Sequence, residues 1–422
     1  MNQSRPLRIL IVTPTVPYPP NWGFGIRVYQ FVRQLSRSHK VSLVCYAQPD
    51  EEAKVAALEQ ICHSVHTVPA PLHNQMDKRT TQLKSLLSKR SFQTRSLLTR
   101  AMQAKLTQLL EAEPFDIVQI ESSQLGCYNF GTEPLFVVDE HNLEYELLQR
   151  MYQTERSPLR KFYNWREYCK FRNEEQACWA RADACILTSD REKCILNAQV
   201  PGKPSHVAPN GVDIDFFRPS TAPVDPNSLV FTGLISYRPN TDAVLFFVKE
   251  VLPLIVKERP STVFSIVGMG APEEVTKLAG PNVVVTGKVD DVRPYIEKAA
   301  VFVVPLRMGS GTRLKVLEGL AMGKPMVSTT LGCEGIAVQN GEHLLTEDDP
   351  AAFAKATLHL MNSRELAMRL GLSGRTLVEE HYSWASIVQT MEGFHAEVLA
   401  EKRHNINQGH AVRQPSIHPS ES

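Results

Sequence analysis

Residues 300–335 read AVFVVPLRMGSGTRLKVLEGLAMGKPMVSTTLGCEG. The unbroken apolar run from Val301 to Val304 has the character of a strand buried on both faces, and Pro305 stops it from extending. The loop that follows combines Gly309 and Gly311 with the hydroxyls of Ser310 and Thr312 and the cations Arg313 and Lys315. Leu317, Leu320, Ala321 and Met322 then supply the apolar stripe of a helix, which Gly323 and Pro325 end before a short strand at Met326. Glycines let the backbone approach a ligand closely. The first N–H groups of a helix lack internal partners, and its dipole favours negative charge there. The pattern therefore reads as an anion site in which Arg313 and Lys315 add fixed positive charge. A carboxylate just inside such a helix would repel a phosphate, so Glu318 suits a ribose, whose adjacent hydroxyls can both donate to it. A solvated surface loop with a capping hydroxyl is the plainer alternative, but it leaves the convergence of glycine, threonine, cations and glutamate unexplained.

The alternation of strand and helix runs through the whole chain. At 422 residues the chain is too long for one core and predicts two domains, or three at most. Strands are expected near residues 7–12, 41–46, 116–120, 135–138 and 184–187. A second set is expected near 229–232, 262–267, 282–286, 301–304 and 326–328. Between the sets, the Pro- and Ser-rich composition of residues 204–227 predicts a linker. The expected division is an N-terminal domain over 1–203, a C-terminal domain over 228–383, a helix over 384–402 and a disordered tail over 403–422.

Composition excludes several classes. The balance of 46 basic and 45 acidic side chains gives no argument for nucleic acid. None of the eight cysteines has zinc-knuckle or thioredoxin-type spacing, so reduced thiols in the cytoplasm are expected. No apolar run is long enough for a membrane span or a signal peptide. Between Lys78 and Lys105 stand eight cations and no acid, interleaved with Leu83, Leu86, Leu87, Phe92, Leu97 and Leu98. Such a basic amphipathic helix pair can rest on anionic lipid headgroups, or simply turn its leucines into the core.

In the first half, Gly23 and Gly25 open a helix that could receive a phosphate or an acceptor. They lack the third glycine and the acidic partner of a dinucleotide fingerprint. His141 follows the strand at 135–138 and so stands at the ligand edge of its sheet. Its residue type alone fits a structural role as well as a catalytic one.

The run PLRMGSGTRLKVLEGLAMGKPMVST (305–329) resembles the donor-site signature of family-4 retaining glycosyltransferases. That resemblance implies the GT-B architecture: two Rossmann-like βαβ domains facing across a cleft, with the last helix, after Tyr382-Ser-Trp384, crossing back to the first domain. It implies transfer of a sugar from a nucleoside-diphosphate sugar to a hydroxyl on a glycan or lipid-linked acceptor, with no cofactor and no metal. The protein would lie in the cytoplasm or at the inner face of the membrane, in exopolysaccharide assembly. By the same resemblance the catalytic residues are His141, Arg238 and Lys315. Gly23, Gly25, Arg238, Gly287, Val289, Ser310, Gly311, Thr312, Arg313, Lys315 and Glu318 hold the donor, with backbone at Gly287 and Val289 meeting the base. The family usually has two glutamates eight positions apart; here the second is Glu318 and the first position is Ser310. It often pairs an arginine at the Arg238 position with a lysine five residues on, where this chain has Ala243, so Lys315 is expected to supply that charge. Asp213 and Asp215 imitate a metal-binding pair but lie in the family's PNGVD element, so no metal is assigned to them. The departure at Ser310 also admits a nucleotide-sugar-binding module, or a GT-B sugar epimerase, without transferase activity.

Overall fold

The computed structural model of the chain describes residues 5–407 apart from 21, 72–80, 83, 87 and 310–312. It forms two compact units, Met1–Pro209 with Val388–Ser422, and Asn210–Ile387.

The first unit holds a seven-stranded parallel sheet. Its strands are β1 (Arg8–Thr13), β2 (Lys40–Ala47), β3 (Ser64–Pro69), β4 (Ile117–Glu121), β5 (Leu135–Asp139), β6 (Ala184–Leu187) and β7 (Ser205–Val207). Their order is β3-β2-β1-β4-β5-β6-β7. The aliphatic runs of β1, β4, β5 and β6 are buried along their length, as strands covered on both faces must be. The chain reverses its direction of travel across the sheet between β1 and β4, which in such folds opens a ligand crevice at the strand C-termini.

The second unit repeats the plan with six parallel strands: β8 (Asp225–Thr232), β9 (Val263–Val267), β10 (Val283–Gly287), β11 (Ala299–Val304), β12 (Met326–Ser328) and β13 (Leu345–Thr346). Their order, β10-β9-β8-β11-β12-β13, reverses between β8 and β11. The loops after those two strands are the ones that carry Arg238 and the 305–313 segment. Phe231, Phe247, Phe264, Phe302 and Phe353 fill the core, with the rings of Phe247 and Phe264 4.5 Å apart.

Several elements differ from the sequence expectation. Ser205–Val207 falls in the segment read as linker but pairs with β6 as an edge strand, and β8 begins at Asp225. β3 has the half-exposed polar pattern of an edge strand, which hid it among loop residues. Helix Gly23–Leu35 starts at Gly23, so both glycines lie in its first turn. The segment expected as a tail from 403 is helical through Asn407. There Lys402 donates to Asp183 at 2.7 Å and Arg403 to Asp116 at 2.6 Å, which ties the helix to the first unit. The basic stretch contains helices Phe92–Leu97 and Arg100–Ala112, the latter burying Met102, Leu106 and Leu109. Lys78, Arg79, Leu83 and Leu87 lie outside the described residues.

Two glycines hold the crevice loops of the second unit together. Gly268 has φ +146°, and a Cβ placed there would come within 1.8 Å of the Gly233 carbonyl oxygen. This contact accompanies hydrogen bonds from Gly233 N to Val267 O (3.0 Å) and Ile235 N to Met269 O (2.9 Å). Gly268→Ala is expected to cost on the order of 3 kcal/mol, since both the dihedral and the space refuse a side chain. Its midpoint of thermal unfolding should fall by roughly 6–12 °C. Gly341→Ala, at φ +79° but in open space, should cost about 1 kcal/mol. Calorimetry on both variants checks the contrast, and equal shifts would contradict the backbone contact.

Candidate active site

In the second unit the crevice is built from loops at the strand ends and the first turns of two helices. After β8, the loop 233–237 is held from beneath by the first turn of helix Arg238–Phe246. Asn240 Nδ2 donates to Leu234 O at 2.8 Å, and Thr241 Oγ1 to Ile235 O at 2.6 Å. Arg307, just beyond β11, grips Asp242 with both arms (3.1 and 2.8 Å) and lies over the Phe246 ring. That fixes the root of the 305–313 loop on the same helix.

Lys315, in the first turn of helix Leu314–Ala321, reaches across to this structure. Its Nζ donates to Asn240 Oδ1 at 2.8 Å and sits 3.8 Å from the centre of the Phe231 ring. A Cβ on Gly233 would come within 2.9 Å of that Nζ, so the bare backbone at 233 is what makes room for the ammonium. Burial pushes the Lys315 pKa down to about 7, with Glu318 opposing and Arg313 reinforcing the shift. Glu318, one turn on, is pushed up to about 7 by burial, and Lys315 opposes that. Both keep a solvent-facing edge while most of each side chain is enclosed. Arg313 is buried and its pKa is lowered by that burial. A Cβ on Gly309 would lie 3.3 Å from the Arg313 guanidinium and 3.6 Å from Pro239.

Gly309, Arg313, Lys315 and Glu318 are thus brought beside the β8 loop. Arg238 is the exposed first residue of helix Arg238–Phe246 at the same edge. Ala243 is buried in the core, and Lys315, hydrogen-bonded to Asn240, brings its cation to the first turn of that helix. Gly287 closes β10 with φ +70° and open space over its Cα, and Val289 packs against the core. Ser310, Gly311 and Thr312 lie outside the described residues.

The first unit presents a different chemistry at its own crevice. His141 lies just past β5, stacked on Phe24 at 4.4 Å between ring centres. Its Nε2 is 2.9 Å from Glu121 Oε2 and 3.4 Å from Asp139 Oδ2. Asp139 is gripped by Arg27, whose Nε and second terminal nitrogen donate at 2.9 and 2.7 Å, while the guanidinium also donates to Ala208 O at 2.7 Å. Burial and the neighbouring Asp139 push the Glu121 pKa up despite His141. Burial opposes ionisation of Asp139 too, but the charge of Arg27, aided by His141, wins and holds it below the usual range. Asp139 therefore stays ionised against Arg27, while the raised Glu121 pKa favours its protonated form. Glu121, Asp139 and His141 offer ligand atoms within 4.8 Å of one another, a grouping able to hold a metal ion. The Arg27 charge on the central carboxylate opposes a divalent cation there. Gly23 stands about one turn before Arg27 and Gly25 two residues before it, and a Cβ on Gly25 would strike the Trp22 ring at 2.7 Å, so that glycine serves packing.

A Glycosyltransferase Family 4 model matches residues 23–216, and a model of glycosyl transferases group 1 matches residues 226–363. The chain belongs to the family-4 glycosyltransferases. It is 21% identical over 393 residues to an uncharacterized 44.6 kDa protein in the cps region of Klebsiella pneumoniae, a match covering 89% of this chain and 96% of that one. It is 25% identical over 286 residues to the UDP-Gal:alpha-D-GlcNAc-diphosphoundecaprenol alpha-1,3-galactosyltransferase of Escherichia coli, covering 62% and 70%. In fold it is similar to sucrose-phosphate synthase of Thermosynechococcus elongatus, with a TM-score of 0.66 at 17% identity over 93% of this chain and 100% of that one. The two Rossmann-like units are those of a GT-B enzyme.

Sequence reasoning missed Asn240, Glu121, Asp139 and Arg27. The signal available for three of them was position: Glu121 and Asp139 are the last residues of their strands, and Asn240 lies in the first turn after the β8 loop.

Should a nucleoside diphosphate bind beside Lys315 and Glu318, its affinity is expected to depend on pH. An approaching diphosphate raises the Lys315 pKa, because negative charge favours the ammonium form. The complex then holds more protons than the free glycosyltransferase across neutral pH, and affinity falls as pH rises through 7. Calorimetric titration of a nucleoside-diphosphate sugar in buffers of differing ionisation enthalpy should show proton uptake near pH 7.5. The dissociation constant should rise by up to about tenfold per pH unit above 7 for each proton taken up. Affinity independent of pH between 6.5 and 8.5, roughly the range that brackets these groups, would contradict the assignment.

Proposed function

We propose that this family-4 glycosyltransferase moves a sugar from a nucleoside-diphosphate donor to a hydroxyl with retention at the anomeric carbon, without a metal. The observation that carries the reading is the enclosed cluster of Lys315, Arg313 and Glu318 at the β8–β11 crossover, the edge where parallel sheets bind ligands. On this reading the diphosphate meets Arg313, Lys315 and Arg238, and Ser310, Gly311 and Thr312, outside the described residues, are assigned to the same ligand. Glu318 accepts from the ribose hydroxyls, and the backbone at Gly287 and Val289 meets the base. The reading also assigns Gly23, Gly25 and His141 of the first unit, the last oriented by Glu121 and Phe24, to the handling of the sugar.

In the reaction, the bond from the anomeric carbon to the diphosphate oxygen breaks through an oxocarbenium-like transition state. The acceptor oxygen forms its bond on the same face and gives up its proton to the departing diphosphate oxygen. Charge builds on the leaving diphosphate, so the cations stabilise the transition state more than the ground state. They do the work a divalent ion would otherwise do.

The acceptor is a glycan or lipid-linked hydroxyl. The name of the E. coli relative specifies UDP-galactose as donor and a diphosphoundecaprenol-linked acceptor, which supports a lipid-linked sugar here. Eight free cysteines suit a reducing cytoplasm, and no helix among the described residues is long and apolar enough to cross a membrane.

The test is to incubate the protein with sugar nucleotides and lipid-linked acceptors in the presence of EDTA and measure free nucleoside diphosphate and new glycoside. The expected product keeps the donor's anomeric configuration, and Lys315→Ala or Arg313→Ala should each lower turnover by about 10²–10³. Binding without product would assign a nucleotide-sugar-binding module, and free nucleotide with an altered sugar but no glycoside an epimerase. Activity lost in EDTA and restored by a divalent ion would overturn metal independence.

A further inference from the structure

Helices Glu144–Thr154 and Pro158–Arg181 form a hairpin joined by residues 155–157. Its inner side is fixed by aromatic contacts. Tyr152 stacks on Tyr168 at 5.8 Å, and Tyr145 meets Trp179 edge-on at 6.3 Å. Glu175 accepts from the Glu144 and Tyr145 N–H groups (3.0 and 3.1 Å), capping the first helix. A rigid hairpin that satisfies its interior in this way has no need of further apolar residues. Yet Met151, in the last turn of its first helix, and Leu159, Phe162 and Trp165, in the opening turns of its second, are exposed. Leu159 keeps 84% of its surface in solvent and Phe162 54%, and the Phe162 and Trp165 rings touch each other at 5.9 Å. Large apolar side chains massed at one end of an element mark an interaction surface.

The charges around them choose the partner. From 147 to 166 there are five cations, Arg150, Arg156, Arg160, Lys161 and Arg166, and one acid, Glu155, whose carboxylate accepts from Ser157 N. The basic segment docks on the same helix. Ser85 donates to Glu167 at 3.0 Å and Phe92 N to the other oxygen of Glu167, which leaves Lys84, Lys89 and Arg90 exposed close to the Trp165 turn. A second copy of the chain meeting this face about a two-fold axis would set these cations against their own kind. An anionic bilayer satisfies both features at once, taking tryptophan, phenylalanine and leucine into the headgroup boundary while arginine and lysine meet lipid phosphates.

We propose that the tip of this hairpin, with Leu159, Phe162 and Trp165 inserted and Arg156, Arg160 and Lys161 around them, docks the protein on an anionic membrane surface. The surface is distinct from the crevice residues and stands whether or not the acceptor is lipid-linked. It differs from the expectation for the Lys78 to Lys105 stretch, whose cations flank the apolar insertion instead of carrying the attachment alone.

The experiment is flotation of the full chain with vesicles of phosphatidylcholine alone or mixed with phosphatidylglycerol, at low and high salt. Wild-type protein should float with the anionic vesicles only, and high salt should reduce the bound fraction. Leu159→Ser/Phe162→Ser/Trp165→Ser should lower partition by about tenfold or more, with circular dichroism and donor binding unchanged because the side chains are exposed. Leu159→Ser alone, at the most exposed site, gives a smaller loss in the same direction should the triple variant misfold. Wild-type protein that remains unbound, or triple-variant protein that floats like wild type, would overturn the proposal. So would a wild-type dimer that the triple substitution splits, which would give the face to a second copy.

Discussion

The ammonium of Lys315 has only one good place to be, and the second unit is arranged to make that place. Withdrawing a lysine from water is costly unless its donors are met, and here Asn240 Oδ1 and the Phe231 ring meet them. Each provider depends on another feature. Asn240 is oriented by donating to Leu234 O, the loop of Leu234 passes close because residues 233 and 268 are glycine, and Phe231 is the penultimate residue of β8. The lysine still sits at a disadvantage, which the depressed pKa records. An incoming anion removes that disadvantage, so part of the folding cost is recovered on binding. Preorganised charge of this kind needs no rearrangement when negative charge develops.

How much of this was legible in the sequence follows from how far apart the partners lie. The apolar run at 301–304, the glycine and cation loop and the helix stripe after it are contiguous, so the crevice of the second unit could be read directly. What could not be read is that Lys315 and Glu318 are enclosed enough to titrate near neutrality, because enclosure depends on β8 and helix Arg238–Phe246. In the first unit Glu121 and His141 are twenty positions apart, and Arg27 and Asp139 are 112 apart. Their meeting requires the β1-β4-β5 strand order, which hydrophobic pattern does not specify. The aromatic residues of the hairpin present the same limit. Tyr152 and Tyr168 face inward and Phe162 and Trp165 face out, and residue type alone does not distinguish them.

The end of β5 shows how one strand serves two purposes. Successive side chains on a strand point to opposite faces, so Asp139 and Glu140 enter different networks. Asp139 turns to Arg27 and the helix Gly23–Leu35 and is held ionised. Glu140 accepts from the Trp179 indole at 2.7 Å and from Ser123 N at 3.3 Å, and burial pushes its pKa up to about 8. Ser123 in turn donates to Glu175 at 3.2 Å, whose pKa burial also raises. Between these networks stands Ser122, whose φ of 107° is sparsely populated for a residue with a side chain. That strained turn lets Glu121 face His141 while Ser123, two residues on, faces the buried glutamates.

The consequence is that the helical hairpin and His141 rest on neighbouring parts of the same strand edge in the first unit. Glu175 holds the N-terminus of helix Glu144–Thr154 and so fixes one arm of the hairpin, and Trp179 anchors the other arm on Glu140. The neighbours of those same groups, Glu121 and Asp139, orient His141. Buried glutamates with raised pKa values favour the protonated form, so ionising Glu140 above pH 8 would strain both the hairpin base and the β4–β5 edge beneath His141. Each such group weakens the fold as pH climbs from its unfolded pKa, near 4.5, toward its folded one. A polar network replaced by aliphatic side chains would escape that penalty, yet it could not hold two helices and one imidazole in register through directional bonds. The histidine and the hairpin are therefore positioned by two adjacent hydrogen-bond networks, which part at the β4–β5 edge where Glu121 turns to one and Ser123 to the other.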